Sequence, residues 1–457
     1  MTGATTELAD WSRGLRFADL PDQVVERVLG HTLDTIGAII VGADRPWTRR
    51  VAEYASIESP TGRSRTASLS RTLRPEWAAL TNATAAHGFE IDDYALPGLS
   101  HPGSVVVPTG FAVAEDRETS GTELIAALCA GFETVVRFGE SCTPSLTSDR
   151  GFHVTSALGV FGAAATTIRI DALSTEHSRA ALGIAASHAS GTTEFTRTGG
   201  DIKRLHAGIA ASAGIRSAAL AARGFTAPTA AIEGERGFLT SFVAHPRPEA
   251  LTSGLGERWA LEGLALKRWC VCAGIQAPLA GLEKVLETHG IHADDVISVD
   301  VGVDRATLAH VGHIGGAPRD MTEAQMSLHH AVGMRLACGG NDPVHYAEFE
   351  AGADVSYAAE RVRLYVDEKA DAAFPARLLA TVRVVTADAD ITVRAEAPGT
   401  PQTPMDRTAR LAKFHALADP IIGDREAQRL IAAIDDLQDG GSVSAVMSHT
   451  RKRNRTR

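Results

Sequence analysis

Apolar residues recur at helical spacing through about the first 260 residues, and this pattern limits the possible fold more than any other feature. The clearest stretches are PDQVVERVLGHTLDTIGAIIVGA, GTELIAALCAGFETVVRFGE and LHAGIAASAGIRSAALAARGF, at residues 21–43, 121–140 and 205–225. Apolar spacing of three and four residues, with few β-branched alternations, predicts α-helices. The third stretch closes at Gly224, a usual helix stop. Because alanine and glycine are so frequent, we expect these helices to approach one another closely.

The pattern changes after Leu264. DVISVDVGVD alternates apolar and polar residues, and ARLLATVRVVTADADITVRAE contains two further strand-like runs. APLAGLEKVLETHG and AQMSLHHAVGMRLACGG in the same region predict helices, and the helical pattern returns from Pro404. We therefore predict a mainly α fold, in which an all-helical domain of residues 1–264 and 401–457 carries an inserted smaller α+β domain of residues 265–400. The final run RKRNRTR predicts a solvated, disordered tail.

Composition and motifs argue against several function classes. A net charge of −10 disfavours general nucleic-acid binding, and no apolar run reaches the roughly 20 residues of a membrane span. The 5 cysteines lack paired Cys-x-x-Cys spacing, which argues against disulfides and structural zinc, and no secretion signal is recognisable. Neither a Gly-rich phosphate fingerprint nor a His-Glu-x-x-His motif occurs. We therefore expect a cytoplasmic protein that needs no metal or other cofactor and binds neither nucleic acid nor membrane.

Four polar clusters interrupt the helical pattern. They are HGFEIDDYALPGLSHPGS at residues 87–104, GFHVTS at 151–156, EFTRTGGDIKRLHAG at 194–208 and LALKRWCVCAGIQ at 264–276. Removing a proton next to a carboxylate requires a base, an acid, and cations that hold the carboxylates. Histidines suit the first two roles near neutral pH, and Lys203, Lys267 and Arg197 suit the third. Together the clusters supply the residue types that proton removal next to a carboxylate requires.

The first cluster is predicted to aim His101. Pro-Gly pairs at residues 97–98 and 102–103 interrupt any helix there, and loops on a rigid helical scaffold often carry catalytic groups. Three carboxylates at positions 90, 92 and 93 precede the break. We expect at least one of them to orient a histidine or to contact the substrate. The alternative is that they cap or solvate a helix end.

These motifs resemble the MmgE/PrpD family. NATAAHGFEIDDYALPGLSHPGSVVVPTGFAVAE, GFHVTSALGVFGAAA, the region from LGIAASHASGTTEFTRTGGDIKRLHAG onward and KRWCVC follow the family's order over nearly the whole chain. The family includes 2-methylcitrate dehydratase, cis-aconitate decarboxylase and iminodisuccinate epimerase. The resemblance implies a helical main domain, a smaller α+β lid domain, a homodimer, and a metal-independent site in the cleft between the domains.

Four positions match the family's site residues, so their roles follow from the resemblance. His101 matches the histidine of a His-Pro motif and His153 that of a Gly-x-His-x-Thr motif, and both are expected to exchange protons. Lys203 precedes the Leu-His-x-Gly motif and Lys267 opens the cysteine motif. The resemblance implies that both lysines hold substrate carboxylates.

Other positions depart from the family pattern. Glu90 stands where many members have aspartate, and Tyr94 where many have threonine or valine. Gln276 replaces a histidine that follows the cysteine motif, and His330 replaces a tyrosine found in some members. The predicted site is completed by Glu90 and Asp93 as catalytic residues and by Arg197, Tyr94, Gln276 and His330 as substrate-binding residues.

Three functions remain open on this basis. The first is a dehydratase that acts on a hydroxy di- or tricarboxylate, as 2-methylcitrate dehydratase does. The second is an epimerase, isomerase or decarboxylase of a related acid such as iminodisuccinate or cis-aconitate. The third, a catalytically idle binding protein, is disfavoured because a scaffold has no need of His101, His153, Lys203 and Lys267 together.

Overall fold

The computed structural model describes residues 3–96, 98–350 and 354–451, so Pro97 and the basic run from Lys452 lie outside the described residues. The chain packs as two compact units. The first contains Met1–Thr193, Ile202–Leu264 and Asp406–Arg457, and the second contains Glu194–Asp201 and Ala265–Met405. Helices account for 60% of the chain and strands for 8%, which confirms the predicted mainly α class. The predicted domain bounds and the lid arrangement stay predictions.

The α-helices, in chain order, are α1 (Ala4–Gly14), α2 (Asp22–Gly42), α3 (Pro46–Glu58), α4 (Pro75–His87), α5 (Gly103–Arg117), α6 (Gly121–Cys142), α7 (Ser145–Ser148), α8 (Val154–Ile170), α9 (Thr175–Ala186), α10 (Phe195–Thr198), α11 (Ile202–Ala221), α12 (Phe238–Phe242), α13 (Ala273–His289), α14 (Arg305–Val311), α15 (Met321–Met326), α16 (Leu328–Cys338), α17 (Pro343–Glu350), α18 (Ser356–Ala359), α19 (Glu368–Ala373), α20 (Arg407–Ile422), α21 (Asp424–Asp435) and α22 (Val443–Ser448). The strands are β1 (Tyr94–Ala95), β2 (Leu264–Ala265), β3 (Ser298–Val303), β4 (Val362–Val366), β5 (Leu379–Val385) and β6 (Asp390–Glu396). Short 3-10 helices occur at Phe17–Asp19, Pro248–Leu251, Ala260–Gly263, Ala293–Asp295 and Asp436–Asp439.

Helices α4, α8 and α11 form the centre of the first unit, and small residues bring them close together. A methyl group added to Gly214 of α11 would lie 2.3 Å from the Cβ atom of Ala163 in α8. One added to Gly208 of α11 would lie 2.6 Å from the carbonyl oxygen of Leu80 in α4. Neither space admits a larger side chain, because protein interiors are close-packed. The high alanine and glycine content therefore serves close helix packing, as the sequence predicts.

The ends of these helices carry polar residues. Helix α4 ends at His87, α8 begins immediately after its N-cap residue His153, and α11 carries Lys203 and His206 in its first two turns. All four side chains are buried. The same three helices therefore supply both a core and a group of buried titratable side chains.

A four-stranded sheet organises the second unit, in the order β4-β3-β5-β6. Strand β3 pairs parallel with β4 and antiparallel with β5, and β5 pairs antiparallel with β6. Alternate residues of β5 are buried, as expected for a sheet with one packed face. Helix α13 packs on that face, where a methyl group on Gly281 would lie 2.6 Å from Val382.

Two predicted helices have different boundaries in the structure. The predicted helix over AQMSLHHAVGMRLACGG is broken at Ser327, whose hydroxyl accepts a hydrogen bond from the backbone N–H of His330 and so starts α16. Helix α11 begins at Ile202, before the predicted stretch of residues 205–225, so it also includes Lys203. It ends at Ala221, before Gly224 adopts a φ of +84° in the following turn.

Within the described residues, no helix combines the length and the apolar character that crossing a bilayer requires.

Candidate functional site

Asp92 bridges two histidines in the first unit. Its Oδ2 atom accepts a 2.7 Å hydrogen bond from Nδ1 of His87 and lies 3.4 Å from Nδ1 of His101. The carboxylate and the His87 ring are fully buried. A buried carboxylate at this distance favours the protonated form of a neighbouring imidazole. Asp92 is therefore placed to stabilise positive charge on His101.

The neighbouring residue Asp93 makes a separate set of bonds. One carboxylate oxygen accepts a hydrogen bond from the backbone N–H of Gly103 at 2.8 Å, and the other lies 2.9 Å from Nδ1 of His31. Its backbone carbonyl accepts a 2.7 Å hydrogen bond from Nδ1 of His101. A methyl group on Gly103 would lie 2.7 Å from the Asp93 carboxylate, so only glycine fits there. Asp93, predicted as catalytic, is thus placed to position His101.

His101 has a fixed orientation and a fixed proton. A carbonyl oxygen only accepts hydrogen bonds, so Nδ1 of His101 carries a hydrogen in its bond to Asp93. The acid–base atom of the ring is then Nε2. The backbone N–H of His101 donates to the hydroxyl of Thr155 at 3.1 Å, which ties the loop to the first turn of α8. This geometry suits a residue that exchanges a proton at a defined atom.

His153 and His206 form a second buried pair. Their Nδ1 atoms lie 3.0 Å apart. The ring of His87 connects this pair to His101, because its centroid lies 5.5 Å from that of His153 and 4.9 Å from that of His101. The structure therefore brings together His101 and His153, which the sequence predicted as site residues.

Lys203 forms a buried ion pair with Glu90. Each side chain is about 5% exposed, so neither charge is well screened by water. Glu90 adopts a left-handed backbone conformation, with φ at +58°, which is uncommon for a residue other than glycine. Since strained residues cluster at functional sites, this conformation fits a site role for Glu90. The predicted contact of Lys203 with a substrate carboxylate stays a prediction.

Burial keeps two of these histidines neutral. It lowers the pKa of His87 to about 3, and it outweighs the opposing effect of the Asp92 carboxylate. Burial and the nearby charge of Lys203 together lower the pKa of His206 to about 4. Nε2 of His87 is buried and has no hydrogen-bond partner among the described residues. At neutral pH His87 and His206 are therefore uncharged imidazoles near the Lys203 ammonium.

The ligand atoms of His87, Asp92 and His101 lie within 4.8 Å of one another, so these residues offer a possible metal-binding set. However, Nδ1 of His87 and Nδ1 of His101 are both engaged with carboxylate or carbonyl oxygens. Nε2 is then the remaining nitrogen of each ring, as in histidines that exchange protons and in histidines that bind a metal. A second set, His415, Asp419 and Asp424, is partly exposed, and exposed acidic groups commonly occur without an ion.

In the second unit, Lys267 precedes a loop of residues 268–271 that the neutral side-chain amide of Gln276 holds. The Gln276 Oε1 atom accepts hydrogen bonds from the backbone N–H groups of Arg268 and Trp269, at 2.9 and 3.3 Å. Its Nε2 atom donates to the carbonyls of Trp269 and Val271, at 2.9 and 3.3 Å. These four bonds use the full capacity of the amide. Gln276, predicted to bind substrate, is therefore occupied with the backbone of residues 268–271.

The other predicted substrate-binding residues lie in different surroundings. Tyr94 is fully buried in β1, and Lys267 is fully buried. Nδ1 of His330 lies 3.0 Å from the carbonyl oxygen of Gly316, and burial lowers the pKa of the ring. Arg197 is exposed in the last turn of α10. Their contact with substrate stays a prediction.

Sequence reasoning did not place His31, His87 or His206 among the site residues. It named Asp92 only as one of three carboxylates, at least one of which was expected to orient a histidine or to contact the substrate. His87 and Asp92 stand within the first polar cluster and His206 within the third, so their density in the clusters was the available signal. His31 lies inside the apolar pattern of α2, where nothing marks it as functional. Its contact with Asp93 connects it to the site.

Comparison with known proteins identifies the family. The sequence model of the MmgE/PrpD N-terminal domain matches residues 6–251, and that of the MmgE/PrpD C-terminal domain matches residues 269–439. The chain belongs to the MmgE/PrpD family. This confirms the resemblance predicted from the motifs, and the protein is an enzyme of the MmgE/PrpD type.

Named relatives of this MmgE/PrpD enzyme include several decarboxylases. It is 27% identical over 463 residues to a cis-aconitate decarboxylase of Aspergillus terreus, across 96% of this chain and 94% of the relative. It is 31% identical over 279 residues to the human cis-aconitate decarboxylase, across 58% of this chain and 56% of the relative. The mouse cis-aconitate decarboxylase is 29% identical over 271 residues, across 57% of this chain and 54% of the relative.

Proposed function

We propose that this MmgE/PrpD enzyme is a cofactor-independent lyase that decarboxylates a small unsaturated tricarboxylate of the cis-aconitate kind. The observation that carries the proposal is the buried cluster in which His101 and His153 both adjoin the His87 ring, beside the Lys203–Glu90 ion pair. The activity named for the relatives favours decarboxylation over the dehydration that the motifs alone placed first.

The chemistry of such a decarboxylation needs one acid and several cations. The bond between a CH2 group and its carboxylate breaks and CO2 leaves. The bonding electron pair forms a new carbon–carbon double bond. The electrons of the original double bond move to the far carbon, which takes a proton from a general acid. Because no net oxidation or reduction occurs, acid–base groups and charge stabilisation suffice.

The residues divide these tasks. His101 and His153 exchange protons with the substrate through their Nε2 atoms. Lys203 and Lys267 bind carboxylates that remain on the substrate, since a lysine ammonium is a compact positive charge with three donors. Asp92 stabilises the protonated form of His101, while Asp93 holds the orientation of its ring.

Dehydration of a hydroxy di- or tricarboxylate is the second candidate. It needs a base that removes a proton next to a carboxylate and an acid that protonates the departing hydroxyl. Two histidines in one cluster are able to take these two roles. Epimerisation would use the same proton removal without a leaving group.

A panel of acids tests the proposal. Cis-aconitate, 2-methylcitrate and iminodisuccinate are each added during thermal unfolding, because a ligand that binds the native state raises Tm. Each acid is then followed for CO2 release, for the ultraviolet absorbance of a new conjugated double bond, and for deuterium uptake from solvent. We expect CO2 release from cis-aconitate. A new double bond without CO2 identifies a dehydratase, and deuterium exchange with neither identifies an epimerase.

Exhaustive chelation tests the cofactor-independent part of the proposal. Activity is expected to survive it. A loss that added zinc or iron restores would contradict this part.

We also propose that the enzyme is a homodimer, on the resemblance to its family, and that it is cytoplasmic, because its 5 cysteines lack paired spacing. Light scattering coupled to size exclusion measures the mass in solution, and a monomer would contradict the proposed assembly.

A further inference from the structure

The His153–His206 pair has a property that the proposed reaction does not use. Its two Nδ1 atoms lie 3.0 Å apart, within hydrogen-bond distance. Both rings are buried, with 7% of His153 and 4% of His206 exposed. A bond between two imidazole nitrogens requires one hydrogen, because two lone pairs or two N–H groups facing each other repel. One ring therefore donates at Nδ1 and the other accepts.

This single hydrogen couples the two tautomers. When both rings are neutral and His206 donates, His153 must carry its own proton on Nε2, which makes that atom an acid. When His153 donates instead, its Nε2 atom has a lone pair and acts as a base. The position of one hydrogen between the rings thus decides which role His153 has.

The surroundings favour a neutral His206 ring and give it a route to solvent. Burial of the ring and the nearby charge of Lys203 lower the pKa of His206 to about 4, so this ring is uncharged near neutral pH. A methyl group on Gly191 would lie 3.3 Å from Nε2 of His206. Gly191 is partly exposed, and its neighbours Ser190 and Thr192 are exposed. The far nitrogen of His206 therefore faces a loop at the protein surface.

We propose that His206 is a proton-relay residue that supplies His153. As the Nε2–H bond of His153 breaks and its proton joins the substrate carbon, the Nδ1–H bond of His206 breaks and that proton joins Nδ1 of His153. In the same step, a proton from solvent near residues 190–192 binds Nε2 of His206. Each ring loses one proton and gains one, so both stay neutral and solvent supplies the net proton.

The relay also runs in reverse. A proton that binds Nε2 of His153 after product leaves drives the transfers backward and resets the pair. The inference rests on the proposed function in treating His153 as a proton donor, and it adds the source of the donated proton.

Two substitutions separate relay from positioning. In His206→Gln, the side-chain amide is able to donate a hydrogen bond to Nδ1 of His153, but it cannot pass a proton on. His206→Ala removes both abilities. If His206 is a relay, both variants lose about 100-fold in kcat with little change in KM, at the lower end of the range for acid–base groups. His188→Gln, at a half-buried histidine just after α9, is the matched control and retains activity.

The dependence of kcat on the deuterium content of the solvent gives a second readout. A curved dependence is expected for the wild type, because more than one proton moves, and a linear one for His206→Gln. Full kcat in His206→Gln, together with a loss in His206→Ala, would overturn the relay and leave His206 as a positioning residue.

A substrate-free measurement keeps the relay and the proposed function distinguishable. If no acid in the panel is turned over, the proposed function fails, yet 15N NMR of the histidine rings still reports the tautomers. At about pH 7 we expect one neutral ring of the pair with its hydrogen on Nδ1 and one with its hydrogen on Nε2, with assignments from the His206→Gln spectrum. Two rings that both carry their hydrogen on Nε2, or a charged ring, would overturn the relay.

Discussion

The histidine cluster of the first unit and the Lys267 loop of the second are held by different kinds of hydrogen bond. In the cluster, His87, His101 and their partner Asp92 are all titratable, so their bonds depend on protonation. In the loop, the neutral amide of Gln276 holds backbone groups, and its four bonds do not change with pH. The first arrangement suits proton transfer, and the second suits holding a charge in one place.

The largest effect is expected from the cluster. His101→Ala should lower kcat by about 100- to 10,000-fold, because general acid–base groups contribute that much to rate. Steady-state kinetics and thermal unfolding measure activity and folding together, with His289→Ala, at an exposed histidine of α13, as the control. If His101→Ala keeps near-full turnover of the correct substrate, residues 87–104 are structural, and the site must be sought around His153 and His330.

The next largest effect concerns His87 and the free energy of unfolding at acid pH. Since the pKa of His87 is about 3 in the folded protein and near 6.5 when exposed, the unfolded state binds more protons between these values. The contribution of neutral His87 to the free energy of unfolding is therefore fully present above about pH 6.5. It is lost as the pH falls toward 3, at up to about 1.4 kcal/mol per pH unit. Denaturant unfolding at several pH values measures this slope, which should be shallower in His87→Gln.

Gln276→Ala is the comparison variant, because the dependence of its unfolding free energy on pH should match that of the wild type. An unchanged slope in His87→Gln would mean that His87 is not the group that titrates.

The two lysines should show the next largest effect. Lys267→Met is expected to raise KM by about 10- to 100-fold, since a hydrogen bond to a charged group contributes roughly 1.5–3 kcal/mol. Lys203→Met alone would leave Glu90 as a buried unpaired charge, so the informative variant is Lys203→Met combined with Glu90→Gln. Glu90→Gln by itself measures how much of the change comes from loss of the carboxylate. Normal KM in both lysine variants would contradict the carboxylate-binding assignment.

The smallest effect is expected from the loop. Gln276→Ala removes four hydrogen bonds to residues 268–271, so KM should rise only a few-fold while the amides of Arg268 and Trp269 exchange faster with solvent. Gln276→His should behave similarly, because a neutral histidine has one donor and one acceptor. Asn82→Ala removes a buried amide that holds residues 65–67 and controls for general destabilisation. Unchanged exchange at Arg268 and Trp269 would show that Gln276 does not hold the loop.

The sequence by itself determined the mainly helical class and the family. Helices depend on local apolar spacing, which a single chain displays directly, and the polar motifs follow one another in the family's order. The sequence also marked His101, His153 and Lys203 through their motifs. Boundaries such as the break at Ser327 were missed, because a side chain that caps a helix is chosen by the surrounding fold.

The tertiary structure alone decided which residues meet. Lys203 and Glu90 are 113 positions apart, and His153 and His206 are 53 apart. Asp92 and Asp93 are adjacent and chemically identical, yet one adjoins His87 and His101 while the other holds His31 and Gly103. Gln276 likewise reads as a pocket residue in the sequence, whereas folding commits its amide to the backbone. Sequence spacing cannot specify these contacts, because packing between distant segments determines the distances and the direction of each side chain.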